Sequence, residues 1–193
     1  MSKRDGGEKK DNKPKISLVV FGDIDDDFSY YILRYLKTFI TSFDSELNVI
    51  PSFPLIRKPN PPITTLEGRE LIFFKEIENI HGDIVLGITD IGFWGVSPPR
   101  FFFGTGRNAR GLVSLYRFKK ETSNKTLLKE RVGKEVIKIL ARACHVGDCQ
   151  EKDCILIYHW KLDDFDINRH VCESCRKKFA YSLKRILGNP TPQ

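Results

Sequence analysis

Four of the five cysteines in this 193-residue chain lie in two closely spaced pairs. Cys149 and Cys154 have four residues between them, Cys172 and Cys175 have two, and seventeen residues separate the pairs. Two short-spaced pairs at this separation are typical of a zinc ion held tetrahedrally by four thiolates. Unrelated buried thiols are the alternative, but two tight pairs would then be a coincidence. The spacing therefore predicts one structural zinc ion per chain, bound by these four cysteines.

The second cysteine pair opens a segment with helical spacing. That segment runs from Glu173 to Leu187, and Gly188 is expected to end it. The partial positive charge at the start of a helix favours thiolates. Zinc binding would add folding free energy to a C-terminal part that is too short for a core of its own. Cys144 lies outside the pattern and is interpreted as a buried helical residue.

A second chemically active group is basic and lies on a predicted helix at residues 125–144. Lys134, Lys138 and Arg142 are four residues apart, so they share one helical face. The simplest interpretation is a solvated face, partly paired with glutamates at helical spacing. An apolar stripe on the same helix is expected to face the core.

The elements that must position these residues alternate between strand and helix patterns. A helix is predicted after the acidic run Asp23–Asp27, and another at residues 66–80. Strands are predicted at 15–22, 46–54, 83–91, 101–104 and 111–116, the last two near the edge of the sheet. A proline-rich loop follows the second strand. This order predicts a mixed α/β fold.

Composition indicates a globular protein with a charged surface, 40% hydrophobic and 30% charged, with a net charge of +7. The first fifteen residues carry six basic and three acidic side chains, so residues 1–14 are predicted to form a disordered basic tail. The sequence has neither a secretory signal nor an apolar run long enough for a membrane span. We therefore expect a soluble cytoplasmic protein, in which reduced cysteines favour metal binding over disulfides.

Several motifs resemble those of the archaemetzincin family of metzincin zinc peptidases. That family combines HExxHxxGxxH with CxxxxCxM at once after it, and a CxxC pair follows at the spacing found here. Gly87–Ile91, Phe101–Gly106 and Val113–Phe118 are similar to the family's strand before the cleft, its FxFG segment and its SLYR strand. The resemblance covers roughly residues 15–186. It implies a twisted mixed sheet with packed helices and a small zinc-stapled C-terminal subdomain.

The chain departs from the family at the catalytic residues. In the ungapped alignment, the three histidine positions hold Lys138, Arg142 and Asp148, and the glutamate position holds Ile139. The glycine position holds His145, and the methionine position holds Leu156. An alignment shifted by four residues places Lys134, Glu135 and Lys138 on HExxH; it restores the glutamate but no histidine, and it needs an insertion before Cys149.

These substitutions are expected to abolish a catalytic zinc site. Such a site needs three ligands with lone pairs and an open position for water. Removing the proton of Lys138 at neutral pH costs about 4–5 kcal/mol, and an arginine is effectively never deprotonated. Asp148 alone does not make a site, and Ile139 cannot act as a general base. Instead, Lys138 and Arg142 are predicted to form an ion-pair cluster with Asp148, with a carboxylate oxygen within about 4 Å of a cationic nitrogen.

The resulting prediction is a metzincin-like α/β fold. Residues 1–14 form the tail, 15–148 the N-terminal subdomain with the former active-site helix, and 149–193 the four-cysteine zinc subdomain. The leading function is a catalytically inactive archaemetzincin-like protein with a peptide-binding or regulatory role and an unknown peptide or protein partner. The alternatives are a zinc metallopeptidase with an unconventional site and a nucleic-acid-binding zinc protein. The basic final helix could contact phosphates, but a solvated helix is the favoured interpretation.

Overall fold

The computed structural model describes residues 13–188 except for 44, 48–49, 66, 97–98, 160 and 168–169. The strands are β1 (Ile16–Phe21), β2 (Leu55–Lys58), β3 (Ile84–Thr89), β4 (Phe93–Val96), β5 (Pro99–Phe102), β6 (Gly104–Arg107) and β7 (Arg110–Ser114). The helices are α1 (Asp26–Thr41), α2 (Arg69–Glu78), α3 (Tyr116–Glu121), α4 (Lys125–Ala143), α5 (Asp164–Ile167) and α6 (Glu173–Gly188). The predicted tail lies outside the described residues apart from its last two positions.

A five-stranded mixed sheet in the order β2-β1-β3-β7-β6 forms the centre of the molecule. The first four strands are parallel, and β6 pairs antiparallel with β7 at one edge. Every residue of β1 and β3 is buried, as expected for parallel strands with helices on both faces. The mixed α/β architecture predicted from the sequence is therefore confirmed.

Two apolar cores lie on the two faces of this sheet. The smaller core joins Phe73 and Ile77 of α2 to Phe21, Val85 and the other strand residues that point to the same face of the sheet. The larger core joins the opposite face to α1, α4 and α6. Helix α4 has eleven buried residues along its length and packs directly on β6 and β7. The edge of the sheet and α4 thus form one rigid frame for any site on that helix.

Helix α6 is anchored to α1 by aromatic side chains. The ring of Phe179 lies 5.5 Å from those of Phe39 and Phe43. The guanidinium of Arg176 lies 4.1 Å from the Phe43 ring and donates hydrogen bonds to Ser42. The C-terminal part of the chain therefore shares the larger core.

The strand predicted at 46–54 is wrong, because the strand at this edge, β2, begins only at Leu55. Before it, Ser52 contacts β1 through an isolated bridge to Lys15. Pro51 and Pro54 have no N–H group, so they cannot donate to a continuous ladder. The predicted strand therefore lies next to the observed one in sequence but ends where β2 begins.

The strand predicted at 111–116 ends at Ser114, and helix α3 starts at Tyr116. The Ser114 hydroxyl accepts a hydrogen bond from the Tyr116 amide and donates one to the Ile91 carbonyl, which turns the chain out of the sheet. Strand β7 lies inside the sheet, whereas the edge is formed by β6, which was not predicted. Strand β5 belongs to a separate hairpin with β4. Among the described residues, no helix is both long and apolar enough to cross a membrane.

Candidate functional site

The four predicted ligand cysteines come together between the end of α4 and the start of α6. Their sulfur atoms all lie within 4.8 Å of one another, and those of Cys149 and Cys172 are 3.7 Å apart. Four thiolates at the usual zinc–sulfur distance of about 2.3 Å would be roughly 3.8 Å apart. The donor type, number and spacing therefore fit a tetrahedral zinc ion.

Backbone hydrogen bonds hold the two cysteine pairs in place. The Cys149 amide donates to the Leu156 carbonyl, and the Ile155 amide donates to the His170 carbonyl. The first pair thus sits on a closed turn that is tied to the segment before α6. The Cys172 carbonyl accepts from the Arg176 amide, so the second pair begins the helix itself.

The charge environment of the cysteine cluster suits thiolate ligands. The amide of Glu151 donates to the Cys149 sulfur at 3.3 Å, and that of Cys172 donates to the Cys154 sulfur at 3.4 Å. Burial raises the pKa of Cys149, but the Glu151 amide and the neighbouring thiols outweigh it and lower this pKa below its usual value. Burial raises the pKa of Cys154 to about 11. A cation is needed to hold all four sulfurs as thiolates, as zinc does.

Lys138 and Arg142 of α4, which the ungapped alignment places on the family's first two histidine positions, each form an ion pair. Arg142 donates two hydrogen bonds to one carboxylate oxygen of Asp148, at 3.0 and 2.7 Å. The predicted distance between a cationic nitrogen and Asp148 is therefore confirmed. Lys138 does not join this pair, because its Nζ lies 3.4 Å from Glu135 and 3.3 Å from Nδ1 of His159.

The Lys138 ammonium is almost completely buried. It is 3% exposed and lies 5.5 and 5.8 Å from the ring centres of Tyr158 and Phe165, so aromatic faces complete its surroundings. Burial raises the pKa of the Glu135 carboxyl, and the positive charge of Lys138 limits the rise. The Glu135 oxygen that lies 3.4 Å from Lys138, Oε2, pairs with it by charge but accepts no well-formed hydrogen bond in the described structure.

Ile139 faces away from these ion pairs and toward the sheet. A Cβ atom at Gly104 would lie 2.9 Å from its side chain, and one at Gly111 would lie 2.6 Å from it. Glycines on β6 and β7 therefore create the space that Ile139 fills. An acidic side chain at 139 would have to occupy this apolar contact.

The backbone of His145 supports the ungapped alignment. Its φ of 62° is the left-handed conformation that favours glycine, and the alignment places it at the family's glycine position. Leu156, at the methionine position, is fully buried. The shifted alignment provides no reason for a left-handed residue here.

Only a small cavity remains beside the ion pairs, with a volume of about 30 Å³. Its walls include Glu135, a catalytic position only in the shifted alignment, and also Arg117, Tyr158 and His159, which the sequence did not identify as site residues. The three-residue spacing of Glu135 and Lys138 on a helix predicts that these two side chains can form an ion pair. Nothing in the sequence links His159 to α4, because that contact arises only when the chain folds back after the cysteine turn.

A buried arginine, also missed from the sequence, ties α4 to the segment after the cysteine turn. Arg131 donates to both carboxylate oxygens of Asp166, at 2.9 and 2.5 Å, and to Thr122. The hydrogen bond from Arg131 lowers the pKa of Asp166 despite the opposing effect of burial. Asp163 lies 3.3 Å from the same guanidinium. The two aspartates therefore hold the segment after the cysteine turn against α4.

Comparison with known proteins finds relatives that are named archaemetzincins. No protein-family profile matches the chain. The archaemetzincin of Methanocaldococcus jannaschii is 27% identical over 173 residues, which cover 85% of this chain and 92% of that protein.

Solved structures share the fold at lower sequence identity. The crystal structure of archaemetzincin from Methanopyrus kandleri superimposes with a TM-score of 0.72 at 20% identity, covering 91% of this chain and 98% of that one. A zinc-dependent peptidase from Methanocorpusculum labreanum superimposes with a TM-score of 0.58 at 18% identity, covering 85% and 99%. At these identities the superpositions show the fold alone.

Proposed function

We propose that this chain, which is similar to the archaemetzincins over most of its length, is a catalytically inactive relative holding one structural zinc ion. The zinc would be bound by Cys149, Cys154, Cys172 and Cys175, and its role would be to cross-link the cysteine turn to α6. The protein would then act as a binding or regulatory partner for a peptide or another protein. The zinc-dependent peptidase with the same fold supports the view that this scaffold takes zinc.

The observation that carries inactivity is the enclosed ammonium of Lys138. It occupies the first ligand position of the family motif and is held by Glu135, His159 and two aromatic rings. A lysine ammonium has no lone pair for a metal, and the adjacent cavity of about 30 Å³ has room for roughly one water molecule. Neither a second zinc ion nor a scissile peptide fits beside these groups without displacing them.

Arg142 and Asp148 close the second and third ligand positions. Their pairing neutralises both charges and leaves Asp148 facing an arginine instead of a metal. Asp148 is exposed, but its carboxylate accepts two charge-assisted hydrogen bonds from Arg142, and a metal would have to break that pair. Any peptide bound by this protein would therefore contact the cleft through its rim.

Metal content and hydrolysis test this proposal together. Protein purified without added zinc should contain one zinc per chain in a shell of four sulfurs, measured by elemental analysis and X-ray absorption. Cleavage of a peptide library should stay at background. Two zinc ions per chain, or chelator-sensitive cleavage that disappears in Lys138→Ala, would show an unconventional peptidase instead.

A gain of metal binding provides the complementary test. The triple variant Lys138→His, Arg142→His, Asp148→His should bind a second zinc ion, because three imidazoles then replace the two ion pairs. The control is Lys75→His with Lys120→His and Lys184→His, which adds three histidines at exposed sites away from the ligand positions of either alignment. Ile139 should stay unchanged in this experiment, since Ile139→Glu would place a carboxylate against β6 and β7. A folded triple variant that still binds one zinc would contradict the assignment of these positions.

A further inference from the structure

A second concave surface lies on the side of α1 that faces away from the core. It shares no residue with the cysteine cluster. We call it the aromatic-basic groove and define it by Tyr30, Tyr31, Arg34 and Lys37 on α1 and by residues 50–53 facing them. Its volume is about 560 Å³, far larger than the cavity beside Lys138. It can therefore hold a ligand several times the size of a water molecule.

The helical wall of the groove offers aromatic faces to solvent. Tyr30 is 60% exposed, and the Tyr31 ring has Arg34 and Lys129 at 5.9 and 5.4 Å from its centre. Because Tyr30, Arg34 and Lys37 are three or four residues apart, they form one ridge along the groove. The opposite wall is apolar, with Ile50 61% exposed and Phe53 half-buried.

The charge of the groove is positive. Its one acidic residue, Asp27, is engaged by Lys129 in an ion pair. Within the described part of the chain, neither Arg34 nor Lys37 has a carboxylate oxygen within 4 Å. By contrast, Arg176 and Lys177 of α6 are both paired with glutamates. Lys178, Lys184 and Arg185 of α6 also lack a carboxylate partner among the described residues. What distinguishes Arg34 and Lys37 is that they line a concave surface.

The basic N-terminal segment joins the molecule at the rim of this groove. The Ser52 amide donates to the Pro14 carbonyl at 2.8 Å, so Lys13 and Lys15 flank the wall formed by residues 50–53. The first fifteen residues contain six basic and three acidic side chains. Lys13 and Lys15 extend the positive charge along the rim of the groove, which favours a polyanion over a small anion.

We propose that the aromatic-basic groove binds single-stranded nucleic acid. A base would stack on the Tyr30 ring against the apolar wall, while flanking phosphates contact Arg34 and Lys37. An acidic peptide is disfavoured because the facing wall has few free main-chain donors. Pro51 has no N–H, and the Ser52 amide is already bonded to Pro14. Duplex nucleic acid is disfavoured because its bases are not available for stacking.

Fluorescence anisotropy of the zinc-loaded full chain with labelled ten-nucleotide oligo-dT and oligo-U tests this proposal. Tyr30→Ala should weaken binding roughly 5-fold or more, whereas Tyr30→Phe should bind like wild type, since stacking needs only the ring. The double variant Arg34→Glu, Lys37→Glu should weaken it about 10-fold or more. It should also lower the slope of log K against log salt by about 1.4, the value for two phosphate contacts.

The matched control is Lys184→Glu, Arg185→Glu, which makes the same charge change on α6 and should leave binding within about 2-fold of wild type. Circular dichroism verifies that every variant is folded. The proposal is overturned by an absence of binding at low salt, by equal losses in the control, or by an unchanged affinity in Tyr30→Ala. Tighter binding of a duplex, or of oligo-glutamate at matched charge, would also overturn it and would identify the other ligand class.

Discussion

At the scale of single residues, His145 shows what it costs to replace a glycine of the motif. Its φ of 62° is strained for a residue with a Cβ atom. His145→Gly should therefore raise the free energy of unfolding by about 1 kcal/mol, while His145→Ala should give no such gain because alanine keeps the strain. Thermal unfolding of the zinc-loaded proteins measures both. A destabilised glycine variant would mean that the His145 side chain makes a stabilising contact that exceeds the strain.

The burial of Glu135 is expected to make the free energy of unfolding depend on pH. Burial raises its pKa, with Asp148 adding to the rise and Lys138 and Arg142 opposing it. A folded-state pKa above the unfolded value means that stability is lost as pH rises from about 4.3 toward the folded pKa, by about 1.4 kcal/mol per pH unit. Glu135→Gln cannot titrate, so its stability relative to wild type should increase across this window.

Urea unfolding at several pH values between 5 and 8 tests the Glu135 prediction. The control is Glu130→Gln, an exposed glutamate on the same helix. Its stability curve should run parallel to that of wild type. If the curve of Glu135→Gln also runs parallel to that of wild type, the pKa of the Glu135 carboxyl does not change on folding. That result would contradict the raised pKa of the buried carboxyl.

At the scale of elements, the sequence predicted the strands and helices that have a regular apolar pattern. It missed the strand that forms only through contact with another element. The buried strands β1 and β3 and the long helix α4 were predicted with bounds within two residues, since their apolar patterns are continuous. Strand β6 was missed because its residues, Gly104–Arg107, have neither alternation nor apolar side chains. It becomes a strand because glycine lets the backbone lie directly on α4. Such a strand has no local signal.

The close approach of β6 to α4 gives a prediction for this pair of elements. A Cβ atom at Gly106 would lie 2.6 Å from the Ile139 carbonyl oxygen and 3.0 Å from the Ala143 amide nitrogen, both of them main-chain atoms. Gly106→Ala should therefore destabilise the protein by about 1–3 kcal/mol. Gly147→Ala is the control, because nothing lies within 4 Å of its Cβ position. Equal stabilities of the two variants, measured by urea unfolding, would contradict direct packing of β6 on α4.

The site divides in the same way. Cysteine spacing predicted a cluster that the structure brings together, because two short turns can be recognised from a few residues. The pairing of Arg142 with Asp148 was also accessible, since the two lie close in sequence. The environment of Lys138 was not, because His159 and Phe165 reach it only after the chain has folded around the cysteine turn. Long-range packing determines that part of the site.

At the scale of the whole molecule, the cysteine cluster and the main core are continuous. Cys154, Cys172 and Cys175 belong to the same apolar cluster as α1 and α4, and α6 connects them through Phe179. Loss of zinc should therefore weaken the entire molecule and not only its C-terminal part. At free zinc about 1,000 times the dissociation constant, the metal should add about 4 kcal/mol to the free energy of unfolding.

Calorimetry with and without a chelator measures this effect. One cooperative transition should move to lower temperature as zinc is withdrawn, and far-UV and near-UV signals should change together. Cys172→Ser should remove the dependence on zinc, because three thiolates and a hydroxyl bind the ion far more weakly. The control is Cys144→Ala: burial raises the pKa of this thiol, which lies outside the cluster, so the variant should keep the full zinc-dependent shift. Two separate transitions, with only the one that reports on α6 sensitive to zinc, would show that the cysteine cluster stabilises a subdomain independent of the sheet.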